Sequence, residues 1–141
     1  MRLLGIDPGE KRIGLAISDP GRIIATAAGV IERGTAAETL EQLRAAARRH
    51  GAVGVVVGLP LMMDGSEGPA SRRAREFVES LRGALGIPVA LWDERLTTAE
   101  ADRLMKSAGL SRRRRGARID GLAAQRILQS YLDSRGAEGV R

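Results

Sequence analysis

Apolar and polar positions alternate in short blocks from the second residue onward. Leu3, Leu4 and Ile6 lead to Asp7, and Pro8 with Gly9 then supply a turn, Pro fixing one torsion and Gly permitting the next. From Arg12 to Ser18 large apolar residues (Ile13, Leu15, Ile17) alternate with small ones (Gly14, Ala16), which is the period of a strand. Asp19, Pro20 and Gly21 repeat the turn chemistry, and residues 23–31 read as a third strand. Three strands on tight turns predict an antiparallel meander.

The period changes at Thr35. Thr35 and Glu38 have the spacing of a capping box, and Leu40, Leu43 and Ala47 follow at helical spacing to about residue 50. Val53, Gly54, Val55, Val56 and Val57 form a continuous apolar run, the signature of a strand covered on both faces. A loop rich in Gly and Pro, residues 58–69, leads into a helix with Ala70, Ala74, Phe77, Val78 and Leu81 on one face. Residues 88–92 read as another buried strand, ending in Asp93, Glu94 and Arg95. Thr97 and Glu100 make a second capping box, opening a helix that stops at Gly109, and a last helix spans residues 117–133. The order is three strands, then helix, strand, helix, strand and two helices. Crossovers through helices make strands four and five parallel to each other and to strand one. The prediction is an α/β fold: one domain over residues 1–141, built on a mixed five-stranded sheet with helices on both faces.

Composition narrows the chemistry. A chain of 141 residues suits a single core, and 43% of it is hydrophobic. Phe77, Trp92 and Tyr131 are its aromatic residues, too few for base-stacking platforms as the main binding device. The absence of cysteine excludes disulfides, thiolate zinc sites, iron–sulfur clusters and Cys nucleophiles. A single histidine, His50, argues against a multi-His metal site or a Ser-His-Asp triad. No signal peptide or long apolar span follows Met1, so a cytoplasmic protein without membrane contact is expected. The formal charge is +6, carried mostly by arginine, which grips phosphate bidentately. The densest cluster is Arg112, Arg113, Arg114 and Arg115, with Arg118 close behind and no acid among them. A solvated basic loop is the plainer reading. Five clustered arginines favour contact with a phosphate backbone, and so a nucleic-acid partner.

The acids supply the reactive chemistry. Asp7 ends the first strand, and Asp93 with Glu94 ends the fifth; parallel strands place both ends at the carboxyl edge of the sheet, where open α/β folds put their sites. Asp120 shares a helical stripe with Ala123, Ala124, Ile127 and Tyr131, a costly place for a carboxylate unless something compensates it. Pairing with arginines such as Arg95 or Arg118 would suffice for one acid, but less well for three. Two carboxylates about 4 Å apart repel by roughly 4 kcal/mol at an effective dielectric near 20. Divalent cations relieve that repulsion, and Mg²⁺, with its preference for hard oxygen ligands, is the natural choice, Mn²⁺ the other. Two such ions would activate a water and stabilise the leaving oxygen of a phosphodiester. The loop at 58–68 leaves the same edge, and its amides are positioned to hold a phosphate at the next helix start. His50 reads as a surface residue at a helix C-terminus, where a cation is mildly favoured. Met62 and Met63 read as loop packing, and Trp92 and Tyr131 as core.

Four ordered motifs then resemble a known family. They are Gly5, Ile6, Asp7, Pro8, Gly9 with Arg12, Ile13, Gly14, Leu15, Ala16; Gly58, Leu59, Pro60, Leu61 with Met63, Asp64, Gly65; Asp93, Glu94, Arg95, Leu96, Thr97, Thr98; and Ile119, Asp120 with Ala123, Ala124 and the segment from Ile127 to Leu132. Together they span nearly the whole chain in the order of the YqgF/RuvX family. The resemblance implies a ribonuclease H-like fold and a metal-dependent nuclease whose catalytic and metal-binding acids are Asp7, Glu94 and Asp120, with Asp93 as a neighbour. It also implies a place in ribosome biogenesis, because family members are linked to maturation of the 5′ end of pre-16S ribosomal RNA. Some members are described as Holliday junction resolvases. One position departs: Met62 stands where the family often has Asn, which removes a polar group from the loop.

Four functions compete. A Mg²⁺-dependent endonuclease on structured RNA comes first, and a resolvase of branched, four-way DNA junctions second. The resolvase would act as a two-fold homodimer, because its substrate has that symmetry. An ATP-using kinase or actin-like domain shares the first hairpin but needs a second domain that 141 residues do not hold. A non-catalytic RNA-binding module is the fourth, and the presence of all three acids argues against it.

Overall fold

The computed structural model describes residues 1–62, 64–93 and 119–137, with side chains at 119, 120 and 135–137 left aside. Met63, Glu94, the helix expected up to Gly109 and the arginines at 112–115 and 118 lie outside the described residues. The elements are β1 (Arg2–Pro8), β2 (Arg12–Ser18), β3 (Ala25–Glu32), α1 (Ala36–Arg49), β4 (Ala52–Leu59), α2 (Pro69–Leu85), β5 (Val89–Asp93) and α3 (Ile119–Ala137). The five strands form one sheet in the order β3-β2-β1-β4-β5. β1 pairs antiparallel with β2, and β2 with β3, while β4 runs parallel to both β1 and β5. The predicted meander and parallel crossovers are both present.

One end of a strand differs from expectation. β3 begins at Ala25 because the Asp19 carboxylate accepts the amides of Ile23 at 2.7 Å and Ile24 at 2.8 Å. That side chain holds the two isoleucines in the turn, where they are 68% and 60% exposed, and Arg22 takes a left-handed φ of 58°. α1 starts as predicted: Glu38 N–H donates to Thr35 Oγ1 at 3.1 Å, and Thr35 N–H to the Glu38 carboxylate at 3.0 Å.

The core has two layers. On one face Leu4, Ile6, Ile13, Leu15, Val55 and Val57 meet Leu43 and Ala46 of α1 and Val78 and Leu81 of α2. On the other, Leu3, Ala16, Ala25 and Val56 meet Ala124, Ile127, Leu128 and Leu132 of α3. Trp92 and Tyr131 pack against this second layer edge to face, 5.5 Å between ring centroids, and the Trp92 Nε1–H donates to Ser130 Oγ at 3.0 Å. α3 comes close because Gly5 lies beneath it: a Cβ there would stand 2.8 Å from Leu128 Cβ. Two glutamines fasten α3 to the start of β3. Gln129 accepts the Ala25 amide at 2.8 Å and donates to the Ile23 carbonyl at 2.9 Å, while Gln125 donates to the Ala25 carbonyl at 2.9 Å.

His50 corrects the sequence reading. It caps α1 with its backbone N–H on the Ala46 carbonyl at 3.1 Å, but its ring is half-buried and Nε2 has no partner among the described residues. Burial first, then the charges of Arg49 and Arg2, push its pKa below the ordinary imidazole value, which disfavours the cation that a helix C-terminus would favour. Among the described residues no helix is long and apolar enough to cross a membrane.

Candidate active site

β1 delivers Asp7 to the carboxyl edge. Leu4 and Ile6 are fully buried against α1 and α2, so alternation turns Leu3, Gly5 and Asp7 toward α3. The register fixes the level. Ile6 pairs with Val57 and Val57 with Leu91, so Asp7, one residue on, comes level with Gly58 and Trp92. Asp93 lies one residue further along β5 and, by the same alternation, shares the face of Val89 and Leu91. Asp7 and Asp93 therefore leave one edge on opposite faces of the sheet.

The first turn of α3 reaches the same level. Asp7 pairs with Gly14 and Gly14 with Val30, next to Gly29. A Cβ on Gly121 would stand 3.6 Å from Ala27 Cβ and 3.9 Å from the Gly29 carbonyl oxygen, which sets Gly121 over the adjoining rows of Ile6 and Gly5. Position 120, one residue nearer the edge, is thus brought close to the level of Asp7 on the same side of the sheet. Among the described residues no group of three His, Cys, Asp or Glu side chains forms a metal cage; Glu94 falls outside them, and only the backbone of Asp120 is described.

The turn after Asp7 admits only glycine. Gly9 N–H donates to the Asp7 carbonyl at 3.1 Å, and a Cβ on Gly9 would stand 2.5 Å from the Arg12 carbonyl oxygen. Beside this turn a cleft of about 600 Å³ opens, lined by Asp7, Gly9 and Glu10 with Arg33 from beyond β3 and Arg73 and Phe77 from α2. No local sequence pattern marks its arginines and Phe77 as a site, because their contacts join segments far apart in the chain.

The loop between β4 and α2 departs from the phosphate-cradle expectation. Met62 N–H donates to the Ser66 carbonyl and Gly65 N–H to the Met62 carbonyl, both at 2.9 Å. Asp64 accepts the Ser66 amide at 2.9 Å and the Ser66 hydroxyl at 2.6 Å. Three loop amides are consumed inside the loop itself, and Met62 is exposed rather than packed. The loop is tied down by the Ser71 hydroxyl on the Pro60 carbonyl and by the Arg75–Glu67 ion pair, which holds the Glu67 carboxyl below its ordinary pKa.

A mixed sheet in this strand order, with an acid closing its central strand and helices on both faces, defines the ribonuclease H-like class. Solved structures bear this out at the level of fold. RuvC of T. thermophilus in complex with a Holliday junction substrate superposes with a TM-score of 0.63 over 96% of both chains at 18% identity. The fowlpox virus resolvase bound to Holliday junction DNA gives 0.59 at 12% identity over 96% of this chain and 99% of that one. The family model described as "RuvX: Holliday junction resolvase" matches residues 1–134, and the chain belongs to this family. A relative from Pelotomaculum thermopropionicum, named "Putative pre-16S rRNA nuclease", is 49% identical over 137 residues, which cover 96% of this chain and 89% of the relative. The reaction class is accordingly that of a hydrolytic nuclease, and the non-catalytic reading falls away.

Proposed function

We propose that this protein is a divalent-metal-dependent endonuclease that processes the 5′ end of pre-16S ribosomal RNA, with Asp7, Glu94 and Asp120 as its metal-holding acids. The observation that carries the reading is the convergence at one sheet edge: Asp7 on the α3 face of the central strand, level with the first turn of α3. The ribosomal substrate follows from the name carried by relatives such as that from P. thermopropionicum. The donor chemistry fits the metal. The three acids are hard oxygen ligands, and the lone histidine, half-buried at the C-terminus of α1, is no part of the site. Bound there, Mg²⁺ or Mn²⁺ would supply an activated water and charge stabilisation for the leaving oxygen. The chain's own contribution is positioning. Asp7 rises from a strand paired on both sides and is followed by a turn that only glycine fits, so its carboxylate is presented from a rigid element. Arg112, Arg113, Arg114, Arg115 and Arg118 supply sequence-independent contacts to the nucleic-acid backbone.

The test offers the full chain a precursor RNA carrying the 16S 5′ end, with Mg²⁺, Mn²⁺ or chelator. Metal-dependent cleavage at a defined position is expected, and intact RNA under both metals would overturn the reading. The family description favours one second reading, resolution of four-way DNA junctions. Paired symmetric cuts in a synthetic junction, made by a two-fold homodimer and without cleavage of the RNA, would select it.

A further inference from the structure

Arg33 is held more firmly than an exposed arginine normally is. Its Nε–H donates to the Gly9 carbonyl at 2.7 Å, and its backbone N–H donates to the Lys11 carbonyl at 2.9 Å. Its guanidinium carbon lies 5.2 Å from the centroid of the Phe77 ring. The guanidinium is thus fixed between the turn that begins at Asp7 and the flank of α2, inside the cleft that Asp7 also lines. With Nε committed to Gly9, its terminal nitrogens have no acceptor among the described residues. Arg73 stands in the same cleft on α2. It approaches Glu10 only to 3.9 Å, with the two side chains 62% and 87% exposed, too far for a hydrogen bond. Two guanidinium forks therefore face a cleft that is continuous with the acid edge, and one of them is already immobilised. Because Arg33 covers the Phe77 ring, the cleft offers charge-assisted donors rather than a stacking surface for a base.

We propose that Arg33 and Arg73 form a phosphate subsite for the substrate strand, holding a backbone phosphate that flanks the bond cut beside Asp7. The strand then crosses the carboxyl edge of the sheet, from the α3 face to the cleft beside α2. The subsite rests on the nuclease reading above and adds Arg33 and Arg73 to the phosphate contacts assigned there to Arg112, Arg113, Arg114, Arg115 and Arg118. Its contacts are to phosphate alone, so they are indifferent to sequence.

The experiment measures affinity of the full chain for a single-stranded RNA oligomer in chelator across a salt series. The parent is compared with Arg33→Gln, Arg73→Gln and the double variant; melting temperatures verify folding, and Arg73, with 62% of its side chain exposed, gives a variant safe from misfolding. Each single change should flatten the slope of log K against log salt by about 0.7, and the double change by about 1.4, equally for oligomers of different sequence. With metal present, the double variant should show a raised KM with kcat little changed. A parent that binds and cuts while the folded double variant keeps its slope overturns the subsite and leaves the nuclease reading intact. A parent without affinity for any polynucleotide defeats both. Saturable binding of inorganic phosphate that both substitutions abolish, with RNA binding unchanged, assigns the forks to a free anion and overturns the strand contact.

Discussion

Gly5→Ala puts a methyl group where β1 and α3 touch. The added Cβ would stand 2.8 Å from Leu128 Cβ, 3.1 Å from the Ala124 carbonyl oxygen and 3.4 Å from Leu128 Cδ2. Carbon atoms pack best at about 3.5–4.0 Å, so the closest contact is roughly 0.7 Å too short. Neither a Cβ nor a main-chain carbonyl can rotate away, which leaves only a rigid shift of α3 or a bend in β1. Overpacking of this kind costs typically 1–3 kcal/mol, and alanine recovers part of that by lowering the entropy of the unfolded chain. A net loss of about 1–2 kcal/mol is expected, visible in urea as a lower midpoint at unchanged m and as a melting temperature lower by roughly 3–8 °C. Activity should fall further than stability does. The shift that makes room for the methyl carries the first turn of α3, with position 120, away from Asp7, and a displacement near 1 Å can cost about 100-fold in rate. Nucleic-acid affinity should be retained. An alanine variant with the parent's midpoint and the parent's cleavage rate would refute the contact and, with it, the placement of α3 over Asp7.

Gly83 is the matching control: nothing lies within 4 Å of its Cβ position in the last turn of α2, so Gly83→Ala should raise stability by about 0.5 kcal/mol at unchanged activity, read as a higher urea midpoint. Asp120→Asn should melt at or slightly above the parent temperature in chelator and still bind RNA, yet lose cleavage by several powers of ten in single-turnover assays; a destabilised variant that still cuts would show a buried ion pair instead. The Asp19 carboxyl is held below its ordinary pKa by the amides of Ile24 and Ile23, and the Glu38 carboxyl by the Thr35 amide and then its hydroxyl. Both contributions to stability are present above the ordinary carboxylate range and disappear as pH falls through the lowered values, so the urea midpoint should drop from pH 6 to pH 3, and less steeply in Asp19→Asn.

The parts of the fold legible in the sequence are those written in local chemistry. Pro8 with Gly9, and the spacing of Thr35 and Glu38, act over two to four residues, and the structure carries both as read. Ile23 and Ile24 read as strand because periodicity registers their apolar character and not the Asp19 carboxylate that captures their amides. The glutamine contacts of α3 left no local signal at all: Gln129 to Ala25 joins residues 104 positions apart. The helix-end position of His50 likewise does not register the partial burial and the Arg2 charge, 48 residues away, that disfavour its cation. At the site, the level of Asp7 followed from strand order alone. Its separation from Asp93 onto the other face required the register, because parity along β5 has meaning only once Val89 and Leu91 are known to face α1 and α2.

The topology explains why one edge gathers so much charge. β1, β4 and β5 are parallel and end there, β2 is antiparallel and begins there, and β3 runs back to finish beside them. The hairpin turn from Gly9 to Lys11 and the end of β3 at Glu32 are therefore neighbours, which is what lets Arg33 bond to both Gly9 and Lys11. α3 runs against the direction of β3, with Gln129 at Ala25 and Gly121 at Gly29, so its first turn returns to the same edge on the opposite face from α2. In a fully parallel sheet the strand ends would still share one edge, but β2 would begin at the far side and the tight turn from Gly9 to Lys11 that Arg33 bonds would be lost. The mixed order sets Asp7 and position 120 on one face and the two guanidinium forks in the cleft beside the other, with only the thickness of the sheet between them. Under the proposed nuclease reading, that division would let one strand of substrate meet both charges in succession as it crosses the edge.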